Sequence, residues 1–577
     1  MSGIKAQNGR QHKGASEQKL SQKSASQQRR ERKGKSQRRR QTDGHNKRAG
    51  NTSPRKARRR RERVTRRQQQ DRLERRCRDR NARRLAHRSG DVRPEPVLSG
   101  SNIHYELSDR TTATHAGGIG AMHLLAEQSG LIEAINEALA LLKVHQPYHE
   151  SDHVLSIAYN ILCGGRCLED LELRRQDAAY LDGLGADRVP DPTTAGDFCR
   201  RFSEDDVLAL MSAINEVRKT VWQQQPTSFF EEAILEADGV MSPTTGECKA
   251  GMDISHKGEW GYHPLVITLA NTGEVLFVVN RSGNRPSHEQ AAHYFDLAAQ
   301  LCREAGFKRV RFRGDTDFTQ TRHLDGWDQA DHRFIFGIDA MPNLVNHAEE
   351  LANDAWEPFE RRPRYTVKTE PRTKPVKVKE QIGRERGFKN IKLQSEHIAE
   401  FDYKPTACDK FYRMAVVRKN LSIEKGEDRL FDDVRYFFYL TNDRGIPGAQ
   451  VVFEANDRCD QENLIAQLKG GVKALHAPVD GLVSNWAYMV MASLAWTLRA
   501  WLALSLPESP RWREKHQREK HMLLRMEFRT FVNRFMHVPC QVIKTGRRIV
   551  YRLLAWNEWQ HVFLRCVEAL RTRPMRC

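Results

Sequence analysis

Arg458, Glu462 and Lys469 carry the first chemical signal in this chain. They lie in the stretch Ala455 to Lys469 (ANDRCDQENLIAQLK), which reads as the opening of a helix. Asn456 or Asp457 is placed to cap its first amides, and Leu464, Ile465 and Leu468 repeat at helical spacing. At about 100° per residue, the three charged residues fall within about 40° of one another on one face. A carboxylate flanked by two cations suits a site that holds a metal ion and a phosphate together. The plain alternative is a solvated helix with an i,i+4 ion pair worth about 0.3–0.5 kcal/mol.

The spacing R-x3-E-x6-K resembles the last acidic motif, Y-x2-R-x3-E-x6-K, of a group of DDE transposases from bacterial insertion sequences. Arg458, Glu462 and Lys469 match it, while Ala455 stands at the tyrosine position. The resemblance requires two aspartates at strand ends. Ala233 to Asp238 followed by Gly239 reads as a short strand ending in an acid and a turn glycine. Val310 to Gly314 reads as another, ending at Asp315. Asp253, Asp317, Asp339, Asp457 and Asp460 compete, and the joint pattern selects Asp238, Asp315 and Glu462.

Three carboxylates suit Mg²⁺ or Mn²⁺, because hard cations take oxygen ligands and keep part of their water. Two such ions about 3.5–4 Å apart activate an attacking hydroxyl and stabilise a leaving oxygen in phosphoryl transfer. In this reading Asp238 bridges both ions, and Asp315 and Glu462 each complete one. Arg458 and Lys469 contact phosphates beside the reacting bond, with Lys257, Arg281 and Arg285 as weaker candidates. No G-x-S-x-G and no G-x4-G-K-[ST] is present, so neither a serine nucleophile nor ATP use is expected.

The elements that must position these acids follow from pattern. His263 to Ala270 and Val275 to Asn280 flank the turn Asn271-Thr-Gly273 and read as a hairpin. Ser287 with Gln290 reads as a capping box opening a helix to Ala305, and Phe334 to Asp339 as a strand. Asp315 and Glu462 are 147 residues apart, too far for one strand-to-helix link. The charged, alternating segments beginning at Tyr365, Val376, Tyr412 and Tyr436 fill that gap as strands of an insertion. The expected fold is α/β: a ribonuclease-H-like mixed sheet flanked by helices, with a β-rich insertion.

The division expected is a basic low-complexity tail (1–95), a helical region (96–225), the first part of the catalytic core (226–340) and the β-rich insertion (341–449). The acidic-helix part of the core (450–506) and a basic C-terminal region (507–577) complete it. Helical periodicity covers Gly120 to Ser129, Ile132 to Leu142, Val154 to Leu162 and Val207 to Val221. Asp191 to Phe202 starts a helix with a basic edge at Arg200 and Arg201, readable as a recognition element or as ordinary packing. Lys544 to Leu553 reads as a basic hairpin around Thr545-Gly546.

Charge is divided unevenly. Residues 1–100 hold 33 Lys and Arg against 9 Asp and Glu, and the remaining 477 residues hold 62 against 65. Residues 1–53 have too few apolar side chains to fold and are expected to be disordered; residues 55–88 are good helix formers that would gain helicity against a polyanion. The tail reads equally as a solubilising segment or a non-specific nucleic-acid arm. Eleven scattered cysteines, with no zinc-like partners for Cys163 and Cys167, read as reduced thiols. Trp486 to Leu506 is the nearest approach to a membrane span, but Arg499 interrupts it, so a buried core helix is expected.

Four separated runs deepen the resemblance: Gly251 to Leu265, Gly314 to Thr321, Ala455 to Lys469 and Lys544 to Leu553. Together they resemble the insertion-sequence family 1380 transposases, also described as transposase DDE domain group 1, over roughly residues 100–570. The resemblance implies cut-and-paste transposition, with double-stranded transposon terminal repeats and target DNA as partners. It implies divalent metal, a homodimer on DNA and a cytoplasmic, nucleoid-associated location. The basic tail falls outside it. A metal-dependent nuclease on the same fold, or a domesticated DNA-binding protein, remains the alternative.

Overall fold

A computed structural model describes residues 54–86, 103–105, 112–145, 147–246, 248–361, 378–425, 428–546 and 548–572. The expected disorder of residues 1–53 and the strand expected at Tyr365 lie outside these residues. The chain divides into two units, residues 1–84 and 85–577. Pro54–Ala86, most of it in the first unit, is a helix, in keeping with its helix-forming composition.

In the second unit, the described residues build one nine-stranded sheet. Its strands are β1 (Ala233–Gly239), β2 (Leu265–Leu269), β3 (Glu274–Val279), β4 (Val310–Gly314) and β5 (His332–Ile338). They continue with β6 (Glu357–Pro358), β7 (Lys389–Tyr403), β8 (Tyr412–Lys425) and β9 (Asp428–Thr441). The order is β6-β7-β8-β9-β5-β4-β1-β2-β3. The three central strands β1, β4 and β5 run parallel, and every other neighbour is antiparallel. The long strands β7 to β9 thus extend the central sheet through the β9–β5 pairing instead of forming a sheet of their own.

Nine helices matter for the site. They are α1 (Ile119–Ser129), α2 (Leu131–Ala138), α3 (Glu150–Leu162), α4 (Pro192–Arg200), α5 (Glu204–Trp222), α6 (Ala291–Ala305), α7 (Gly448–Asn456), α8 (Cys459–Gly470) and α9 (Leu482–Leu504). Strand alternation decides which helix covers which face. Phe312 of β4 meets Phe295 of α6 with ring centres 4.8 Å apart, and Phe334 and Phe336 of β5 join the same core. Ile335, between them, points the other way and packs with Val451 and Val452 of α7. Every residue of β2 is buried, as expected for a strand covered on both faces.

The N-terminal helices share that main core and are fastened to it by a polar knot. Glu274, at the start of β3, is fully buried and accepts from Arg218 and Trp222 of α5, Trp501 of α9 and Thr272. Four donors on one carboxylate explain how a charge is tolerated there. α9 is long and apolar enough to cross a membrane by length and composition, and its most apolar window is wholly buried inside the fold.

Several local expectations need correction. α6 opens at Ala291 behind Gln290 in the left-handed region (φ 64°), without the Ser287–Gln290 capping box. α8 opens at Cys459, not at Asn456 or Asp457, because α7 occupies the chain up to Asn456. Val378–Glu385 is helical where a strand was expected from Val376 onward. The periodicity seen over Ile132 to Leu142 stops at Ala138, where Leu139 turns extended.

Candidate active site

Asp238 and Asp315 meet because their strands are parallel neighbours in a fixed register. Glu236 of β1 pairs with Arg313 of β4. Two residues further along each strand come Asp238 and Asp315, one pleat up and on the same face. Ala237, between Glu236 and Asp238, and Phe312, just before Arg313, point to the other side and are fully buried. Gly239 follows for a steric reason: a Cβ there would sit 2.9 Å from Ser287 and 3.0 Å from His263 Cε1.

Glu462 reaches the same place from the first turn of α8. What binds the three acids together is Arg458, the residue that precedes that helix. Its Nη2 lies 3.3 Å from Asp315 Oδ2 and 3.3 Å from Glu462 Oε1, and its Nη1 lies 3.7 Å from Asp238 Oδ2. Nη1 is buried with no hydrogen-bond acceptor in reach. One guanidinium therefore serves three carboxylates without satisfying all its donors.

The electrostatics record that crowding. Burial pushes the Asp238 carboxyl up to about 7; Arg458 opposes it, and Asp315 and Glu462 add to it. Burial also raises the Asp315 carboxyl, against Arg458 and with Asp317. Acids held this close favour either a proton or a cation between them. The donor set is carboxylate oxygen throughout, and it already gathers round a positive charge. That is the donor chemistry of a hard divalent ion.

The family model described as Transposase DDE domain group 1 matches residues 96–575. The chain belongs to that family. Among solved structures, the piggyBac transposase synaptic complex with hairpin DNA is similar at 12% identity, covering 73% of this chain and 83% of that one, with a TM-score of 0.32. No curated protein sequence matches the chain.

The remaining predicted residues of this transposase-family chain differ in their surroundings. Lys469 lies on α8 close to His263, whose pKa is lowered first by burial and further by Arg281, His256 and Lys469. His263 in turn stands against Gly239, beside Asp238. Arg285 is exposed, pairs with Glu289 at 3.5 Å, and its carbonyl bonds the His263 ring at 2.8 Å. Lys257 is exposed at the tip of a small hairpin. Arg281 is buried: its Nε and Nη1 donate to the carbonyls of His263, Pro286, Ser287 and Glu289, which shapes the loop, while its Nη2 is buried without an acceptor.

Two of the competing acids have other partners, and a third stays beside Asp315. Asp253 accepts from Asn284, Asp460 faces Arg525 at 4.0 Å, and Asp317 donates its backbone N–H to Asp315. Ala455, at the tyrosine position, packs against the cluster that holds Val451 and Val452. At the basic edge expected on α4, Arg200 pairs with Asp197 and Asp480, while the exposed Arg201 donates to the Leu141 carbonyl and keeps its charge.

Sequence reasoning missed the support beneath the acids. Arg311 is buried and pairs with Glu232, Asp443 and Glu454, tying β1, β4, the end of β9 and α7 together. The signal was present: Arg311, Arg313 and Asp315 alternate with apolar residues, placing three charges on one face of a central strand.

Proposed function

We propose that this chain is a DNA transposase of the insertion-sequence 1380 kind. It would cleave at transposon ends and join the freed ends to target DNA, in a cut-and-paste reaction. The observation that carries this reading is the gathering of Asp238, Asp315 and Glu462 around one cationic group, within a chain of this family. The core order β3-β2-β1-β4-β5, antiparallel then parallel, supports a ribonuclease-H-like catalytic fold.

Asp238, Asp315 and Glu462 would hold two Mg²⁺ or Mn²⁺ ions. Bound there, such ions supply a more acidic attacking hydroxyl and charge stabilisation at the phosphate. The chain's own residues do the rest. Asp238 and Asp315, fixed by strand register, hold the site rigid. Arg458 neutralises the acids and, once a divalent ion takes that role, is free to turn to a phosphate oxygen. Lys469 and the exposed Arg285 and Lys257 would serve as phosphate contacts. Double-stranded DNA is the partner in this reading, engaged by a homodimer, with the helix Pro54–Ala86 adding non-specific affinity; the location is cytoplasmic and nucleoid-associated.

The test is incubation of the full chain with labelled DNA carrying the element's terminal repeats and a target plasmid, with Mg²⁺ or with chelator. Cleavage and joined products in Mg²⁺ alone are expected. Cleavage without joining would make the chain a nuclease on this fold, and full cleavage in chelator would remove the metal reading.

A further inference from the structure

A second group of ligating side chains lies far along the sequence from the acids, where the loop after α2 enters α3. His145, His149 and Glu150 each place one donor atom within 4.8 Å of the others. His145 Nε2 is 3.1 Å from Glu150 Oε2. The two imidazoles stack with ring centres 4.5 Å apart. We propose that these three residues bind a divalent transition-metal ion of the zinc class, with solvent at the remaining position.

The donor chemistry selects the ion. Two imidazoles and one carboxylate suit zinc, which takes nitrogen and oxygen ligands in a small four-coordinate shell. Mg²⁺ prefers oxygen throughout and is not drawn to two imidazoles. The site also has the outer support that metal ligands need. Glu150 is only 1% exposed, and its Oε1 accepts from the backbone N–H groups of Leu141 and Leu142 at 3.1 and 3.0 Å. Its Oε2 is thereby aimed at the histidines. The histidine side is open, since His145 is 48% exposed, so an ion has a path in. His153, three residues on, is not a ligand: it is buried and stacked on Phe198 at 4.3 Å.

The consequence is structural. Among its described residues the loop between α2 and α3 has no regular secondary structure of its own, and Arg201, just after α4, donates to the Leu141 carbonyl within it. An ion there pins the loop to the first turn of α3.

The test uses the full-length chain without a histidine tag, stripped with chelator and then held in excess Mg²⁺. Co²⁺ is the probe, read by the visible absorption of a low-coordinate cobalt centre, followed by displacement with Zn²⁺. Wild type is expected to take up one more equivalent of zinc than His145→Ala or His149→Ala, and to give a cobalt spectrum that both variants lose. Asp238→Asn should keep it. Equal uptake in wild type and both histidine variants would overturn the proposal, as would loss of the spectrum in Asp238→Asn. Should either histidine variant fold poorly in chelator, wild type alone decides: zinc is expected to shield His145 and His149 from diethylpyrocarbonate, and unchanged labelling would sink the site.

Discussion

Arg313 donates to Glu236 across 2.6 Å from the neighbouring strand, one pleat beneath Asp238 and Asp315. Both side chains are nearly closed to solvent. Burial pushes the Glu236 carboxyl up to about 7 even with Arg313 opposing it. Arg313→Met leaves that carboxyl alone. Breaking a buried pair costs about 3–5 kcal/mol when the remaining charge cannot escape. Here it can, by taking a proton. The loss in urea-unfolding stability should therefore be larger near about pH 8 than near about pH 5. Equal losses at both would mean that Glu236 stays neutral in the wild type.

Arg458 makes the same trade above that pair. In chelator it is the cation that three carboxylates share. Arg458→Ala should lower the thermal midpoint in chelator and enlarge the rise that saturating Mg²⁺ produces, because the ion no longer displaces a resident charge. Cleavage should fall even so, for want of the phosphate contact. A smaller Mg²⁺-induced rise in the variant than in wild type would show that Arg458 assists the ion instead of competing with it.

Asp238 adds a pH dependence of definite sign. Its carboxyl moves from 3.8 to about 7 on folding, through burial first, then the partial opposition of Arg458 and the addition of Asp315 and Glu462. Between those values the folded chain keeps a proton that the unfolded chain has released. Metal-free stability therefore falls as pH rises across that window and levels off above it. Asp238→Asn should be increasingly more stable than wild type as pH rises through the window in chelator. A difference between the two that does not vary with pH would refute this.

How far the site was legible follows from the range of each interaction. Asp238 and Asp315 could be read because each ends a short apolar-alternating strand, and local period carries that information. Glu462 could be read from spacing. The place of Arg458 could not: α7 runs up to Asn456, so the arginine precedes α8 and is free to fold back over both aspartates. Arg281 looked like a phosphate contact because a hairpin arginine gives no hint that four carbonyls will claim it. The joining of β9 to β5 was invisible because pairing across a hundred residues leaves no local trace. His145 and His149 escaped notice because they lie in a loop, where no period marks a shared face.

The helix Pro54–Ala86 carries sixteen Lys and Arg against four Asp and Glu. If it lies along DNA, each phosphate it neutralises steepens the fall of log affinity with log salt by about 0.9. Deleting residues 1–95 should flatten that slope and leave the preference for terminal repeats intact, as measured by binding titrations at several salt concentrations. An unchanged slope would make the segment a bystander.

The sharpest discrimination lies on α8, between Glu462 and Asp460. Both stand in its first turn and both are exposed, so neither position in the helix nor burial separates them. Direction does. Two residues along a helix is a rotation of about 200°, so their side chains leave on nearly opposite faces. Glu462 meets the guanidinium that also holds Asp238 and Asp315, at 3.3 Å, while Asp460 faces Arg525 at 4.0 Å. Glu462→Gln keeps size and hydrogen bonding but removes the charge a metal needs. It should reduce strand cleavage by more than the roughly 10–100-fold that loss of a supporting group costs, with end binding preserved. Asp460→Asn should keep most activity, since a pair this long and this exposed contributes little. Lys469→Ala should weaken substrate binding without altering the Mg²⁺-induced rise in thermal midpoint. The measurement is cleavage of labelled end DNA by each variant beside a binding titration. An active Glu462→Gln together with a dead Asp460→Asn would mean that α8 presents its other face to the aspartates in the working enzyme.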